Sequence, residues 1–188
     1  MIKNAFLILA VLWVAGLVRV SADPPFSGGS IYQVGGAWID DAGQPMSLAE
    51  LRGRPVVIAM FYTRCGFACP LIVAQMQRIR AALPEAERAR TSFVLVSFDS
   101  KGDSVADLRA YRNTFRLPVE GWTLLRGPAD DVRNLAMALG FAYTRDSRGQ
   151  YTHSTQITVL NSGGEIVLQQ KGLNGDINAM TAAVAAHE

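Results

Sequence analysis

Thiols are scarce in this chain. Of 188 residues only two are cysteine, and only two are histidine. A framework of several disulfides is therefore excluded, as is a four-sulfur zinc site. No run of basic residues interrupts the sequence, and the formal charge is only +2, so nothing supports a nucleic-acid surface. The longest apolar run, Ala5 to Val18, is shorter than the ~20 residues a spanning helix usually needs. Apolar residues reach 49% and charged residues 18%, which describes a globular chain long enough for one domain with a real core.

That early apolar run follows Lys3 and ends at Arg19 and Val20-Ser21-Ala22. A positive start, a short apolar middle and small residues at the end read as an export signal; a retained membrane anchor is the alternative. Residues 1–22 are thus expected to send the domain out of the cytoplasm. The periplasm is its expected location, where it is soluble after cleavage or held at the inner membrane. Residues 23–36 are rich in proline, glycine and serine and read as a linker or loosely docked arm. Residues 37–188 carry the domain.

Within it, Ala37–Ile39 and Pro45–Ser47 flank Asp40-Asp41-Ala42-Gly43 as a small hairpin. Pro55–Tyr62 and Ser92–Phe98 are apolar runs of strand length, expected to be buried on both faces. Apolar spacing predicts helices over 70–83, 104–115, 130–139 and 176–186, and Ser104 with Asp107 forms a capping-box pattern. Thr123–Leu125, Thr155–Leu160 and Glu165–Gln170 complete the strands. This order predicts an α/β fold: a thioredoxin-like mixed sheet flanked by helices, with an N-terminal β-hairpin.

Both cysteines lie in Tyr62-Thr63-Arg64-Cys65-Gly66-Phe67-Ala68-Cys69-Pro70. An exported thiol pair meets oxidising conditions, but so small a loop would gain little as a staple. Cys65 falls at the end of the first central strand and Cys69 at the start of the next helix, where Pro70 suits the first turn. The helix dipole there favours thiolate, and Arg64 adds to this if it points inward. Two thiolates select a soft ion, Cu(I) above all. His153 stands immediately before the Thr155–Leu160 strand, whose start lies beside the active-site helix in a thioredoxin-like sheet. It is the candidate third ligand. His187, near the end of the last helix, reads as a solvated residue. Met60 and Met76 fall at core positions, and Trp38 and Trp122 read as anchors.

The Cys-x-x-x-Cys-Pro motif and the later His153-Ser154 resemble those of the Sco/SenC family. So do Leu51-Arg52-Gly53-Arg54, Val94-Leu95-Val96-Ser97-Phe98-Asp99 and Leu108-Arg109-Ala110-Tyr111. The resemblance runs from about Gly35 to the C-terminus. It implies a thioredoxin-like domain that binds copper, as Cu(I), Cu(II) or both, through Cys65, Cys69 and His153. It also implies delivery to a cuproprotein, foremost the CuA centre of cytochrome c oxidase, whose subunit II is then the partner. A thiol reductant or copper donor protein is implied as a further partner. Some family members act as thiol-disulfide reductants, so Cys65 and Cys69 as a redox pair is the competing reading. Against that reading stand the three-residue spacing, the lack of a proline before the Thr155 strand, and the histidine. A peroxidase role has no supporting constellation.

Three positions leave the family pattern: Gly66 where proline is common, Arg64 where histidine is common, and Thr152 where aspartate usually precedes the ligand histidine. Asp99 matches a family position, with a loop or cap carboxylate and a partner-docking group as its two readings.

Overall fold

The structure, a computed structural model, describes residues 25–187. The expected export segment, residues 1–22, lies outside them. Seven strands form the main sheet in the order β2-β1-β5-β4-β3-β8-β9. In chain order these are β1 (Trp38–Asp40), β2 (Pro45–Met46), β3 (Val56–Phe61), β4 (Ser92–Ser97), β5 (Trp122–Arg126), β8 (Gln156–Leu160) and β9 (Ile166–Lys171). β3, β4 and β5 run parallel; β1, β8 and β9 are antiparallel to their neighbours in it. A separate hairpin pairs β6 (Tyr143–Arg145) with β7 (Tyr151–His153). Among the described residues five α-helices complete the fold: α1 (Ala68–Ala82), α2 (Glu85–Arg90), α3 (Val105–Phe115), α4 (Ala129–Ala138) and α5 (Ile177–Ala185).

β3 is buried along its whole length, because helices cover both faces of the sheet. Its side chains alternate between two cores, as strand geometry requires. Val57, Ala59 and Phe61 pack with Ile72, Val73, Met76 and Ile79 of α1, Tyr111 of α3 and Met180 of α5. Val56, Ile58 and Met60 pack on the other side with Val132 and Leu135 of α4. Met60, Met76, Trp38 and Trp122 are all core residues. α3 starts with the reciprocal Ser104–Asp107 capping box that the sequence suggests.

The arm expected over 23–36 is not loose in its described part. Ile31 and Tyr32 are buried, and Ser30 bridges Glu165 in the β8–β9 turn. The Tyr32 hydroxyl donates to the Leu51 carbonyl at 3.3 Å. Gly164 makes this possible: at φ +83, a Cβ there would sit 2.6 Å from the Tyr32 ring. Glycine and proline content suggested a linker, but two apolar side chains were enough to anchor it.

Candidate metal centre

β3 delivers the chain to a loop, Tyr62–Phe67, from which α1 starts. Two carboxylates hold this loop from below. Asp103 accepts from the Thr63 backbone N–H at 2.9 Å and the Thr63 hydroxyl at 2.6 Å. Asp99, only 1% exposed, receives the Arg64 guanidinium, the Gly102 N–H at 3.0 Å and the Tyr151 hydroxyl at 3.1 Å. Arg64 therefore turns away from the thiols. Its expected contribution to thiolate stability is replaced by an ion pair that pins the loop.

Cys65 sits at the mouth of the helix, 9% exposed, and the first-turn N–H of Cys69 donates to its sulfur at 3.3 Å. Burial pushes this thiol up. The N–H groups of Cys69 and Phe67 and the contacts with His153 and Cys69 outweigh that, bringing it down to about 7. Cys69 behaves oppositely. It is fully buried, and burial pushes it well above the ordinary thiol range. The helix terminus thus favours a thiolate at Cys65 and not at Cys69, a correction to the symmetric expectation.

His153 comes from the end of β7 rather than from an unstructured loop. Its Nδ1 lies 2.8 Å from the Ser154 carbonyl oxygen. A carbonyl only accepts, so Nδ1 carries a proton, and Nε2 is the ring nitrogen left for a metal. That Nε2 faces the Cys65 sulfur at 3.9 Å. The ring packs among Tyr62, Phe98 and Phe141, with centroids 5.1 to 6.1 Å away. One ligand atom each from Cys65, Cys69 and His153 lies within 4.8 Å of the others. His187 is exposed at the far end of α5.

The hairpin that carries His153 was not legible as such, although Asp146 and Gly149 mark its turn. Asp146 accepts from the N–H groups of Arg148 and Gln150, and Gly149 has φ +82. Tyr151 and Asp99 went unnoticed as a pair. Together with Arg64 they tie the cysteine loop to β7, so one carboxylate braces both halves of the centre. Asp99 is thus a buried structural carboxylate, closer to the loop reading than to a docking group.

Thiolate reactivity follows from this asymmetry. In the reduced, metal-free protein, alkylation of Cys65 should rise with pH through a midpoint of about 7, because the thiolate is the nucleophile and is lost below that value. Cys69 should stay unmodified over the same range. Mass-spectrometric mapping after iodoacetamide pulses checks both; a shared midpoint for the two cysteines contradicts the asymmetry.

Two thiols on the loop that opens α1 and an imidazole brought in by β7 form a cluster with the donor set of a metal centre, on a thioredoxin-like scaffold. The SCO1/SenC family profile matches residues 33–187, and the chain belongs to that family. A Stutzerimonas stutzeri protein named "Putative copper-binding protein" is 27% identical over 68% of this chain and 63% of its own length. The chain therefore aligns with less than two thirds of that relative. A SCO1/SenC family lipoprotein from Bacillus anthracis superposes with TM-score 0.73 at 21% identity, over 80% of this chain and 90% of the other. ScoI of Bradyrhizobium japonicum, solved with copper bound, superposes with TM-score 0.68 at 18% identity, over 82% and 98%. These likenesses establish the fold as that of Sco proteins.

Proposed function

We propose that this protein binds copper at Cys65, Cys69 and His153 outside the cytoplasm and passes it to an apo-cuproprotein, with the CuA centre of cytochrome c oxidase as the first candidate client. The convergence of two sulfurs and an imidazole nitrogen within 4.8 Å carries this reading. Soft thiolates favour Cu(I), and imidazole suits copper in either oxidation state. Binding displaces the Cys69 proton, so the buried thiol is compatible with a ligand role. Three protein ligands leave room for an incoming group from the client. The copper named in relatives and in the Bradyrhizobium structure supports the metal, while the client and the periplasmic location rest on family expectation and on the N-terminal sequence.

The test is a competition titration of the reduced protein against a chromophoric Cu(I) chelator. One equivalent of Cu(I) should be taken up; no stoichiometric uptake would remove the proposal. Asp99 enters a second prediction. In Asp99→Asn the amide can still accept from Tyr151 but no longer neutralises Arg64. Copper affinity should fall by up to about tenfold, the lower end for outer-shell losses, because Asp99 touches no ligand and acts only by bracing the cysteine loop against β7. An unchanged affinity in the same titration would limit Asp99 to a structural role.

Thiol-disulfide exchange is the second reading, favoured by the reactive Cys65 and the buried Cys69 beside it. It uses the same sulfurs and leaves His153 without a task.

A further inference from the structure

Two clefts meet where the β6–β7 hairpin packs against the loop after β4. The first, about 310 Å³ in volume, is lined by Arg64, Lys101, Arg145 and Tyr151 among others. The second, about 240 Å³, shares Lys101, Arg145 and Tyr151 with it and adds Arg133. Together they form one trough, with Arg64 at one end, Lys101 and Arg145 in the middle and Arg133 at the other end. All four cations are exposed. Asp99 is the one acid among the lining residues, and Arg64 and Tyr151 already engage it. Lys101 meets no acceptor among the described residues. Arg145 donates from Nε to the Gly149 carbonyl at 3.2 Å and lies over the Tyr151 ring, 5.4 Å from its centroid. Its two Nη groups have no acceptor among the described residues. Arg133 has only the exposed Asp130 one helical turn away, a pair of little strength.

We propose that this trough binds an acidic segment of a partner protein, through carboxylates spaced along an extended chain. Neither cysteine nor His153 lines it, so the inference goes beyond the metal site and needs no metal. The cations are strung along two clefts instead of gathered round one point. That spacing fits several carboxylates better than a single small anion. The free Nη groups of Arg145 match a carboxylate bidentately, and Lys101 adds a compact point charge. Asp99 does not compete for either, because it is buried and already engaged. An anionic membrane fits less well. Peripheral membrane binding couples charge to an inserted apolar group. The exposed large apolar side chains Phe67, Leu71, Val119, Met137 and Ile166 line neither cleft. Opposite charge of this kind sets encounter rate and partner choice more than raw affinity.

The test uses the full reduced, copper-free protein and a capped, dye-labelled Gly-Glu-Asp-Glu-Asp-Glu-Gly peptide, read by fluorescence anisotropy. A peptide with Gln and Asn in place of the acids is its control. At about 0.02 M salt, where exposed charges are weakly screened, the acidic peptide should bind saturably and the amide peptide should not. At about 0.15 M salt the affinity should be lower, as for any exposed ion pairs. Lys101→Glu and Arg145→Gln should each weaken binding by about fivefold or more, the upper end for a lost exposed pair. Arg54→Glu makes the same charge change as Lys101→Glu on an exposed residue just before β3, at the other end of that strand from Tyr62. It should weaken binding by less than about twofold. Equal weakening by Lys101→Glu and Arg54→Glu overturns the trough, because net charge alone then explains the binding. Equal binding of the two peptides, or no saturable binding of the acidic one, overturns it as well. Vesicles of phosphatidylglycerol and phosphatidylcholine form a parallel arm. Retention on them that Lys101→Glu abolishes, without peptide binding, assigns the trough to a membrane and overturns the acidic segment. Peptide binding is measured without copper, so its failure leaves the metal reading untouched.

Discussion

Replacing His153 by alanine lowers the Cu(I) affinity of the reduced protein by about a hundredfold, more than the ~10-fold lower end for an outer-shell loss, because a ligand itself is removed. Cu(II) binding falls further, since two thiolates alone suit the softer ion. The protein itself changes little. His153 is only partly buried, and its ring is one of several packed around Phe98. The N–H groups of Cys69 and Phe67, which favour the Cys65 thiolate, stay in place. Exchange of Cys65 with a model disulfide should therefore change by no more than about threefold. Parallel chelator competition and exchange kinetics separate the two activities. Equal copper affinity with and without the imidazole would remove His153 from the ligand set, and a joint collapse of both activities would point to misfolding.

The second large effect concerns stability. Asp41, in the β1–β2 turn, receives Nε and Nη2 of Arg112 from α3, the latter at 2.7 Å. The same guanidinium donates to the carbonyls of Pro118 at 2.8 Å and Trp122 at 3.1 Å. Both side chains are buried. Asp41→Ala leaves a buried cation without its counterion, which costs about 3–5 kcal/mol, a large share of the ~5–15 kcal/mol that holds a domain together. Replacing the pair with Asp41→Leu and Arg112→Met together should cost less than Asp41→Ala alone, because no charge is then stranded. Urea unfolding of both variants beside the parent decides the matter. A loss of under about 1 kcal/mol for Asp41→Ala would show that solvent reaches the site.

Legibility varied with how much of each element's signal was local. β3 and β4 were readable because a strand buried on both faces must be apolar throughout. The helix after Cys69 was readable from Ile72, Met76 and Ile79. α2 was missed because none of its residues is buried, so it has no apolar period. β6 and β7 are three residues each, and their Tyr-Thr-Arg and Tyr-Thr-His sequences carry too short an alternation to stand out. At the centre, the cysteine pair and His153 could be singled out by residue type and placement. The direction of Arg64 could not, since it depends on Asp99, 35 positions away in the chain. The Cys65–Cys69 asymmetry depends on burial, which four residues of sequence cannot encode.

The hairpin bearing His153 is not part of the seven-stranded sheet that delivers the cysteines. Two-stranded units are marginal alone, and this one leans on Phe98, Phe141 and Tyr62 through Tyr143, Tyr151 and His153. An ion held by both units is therefore a cross-link between cooperative segments of unequal stability. By linkage, the free energy with which copper prefers the closed arrangement is the free energy it adds to hairpin closure. Loading and unloading of the metal is then equally a change in local amide-exchange protection across residues 143–153.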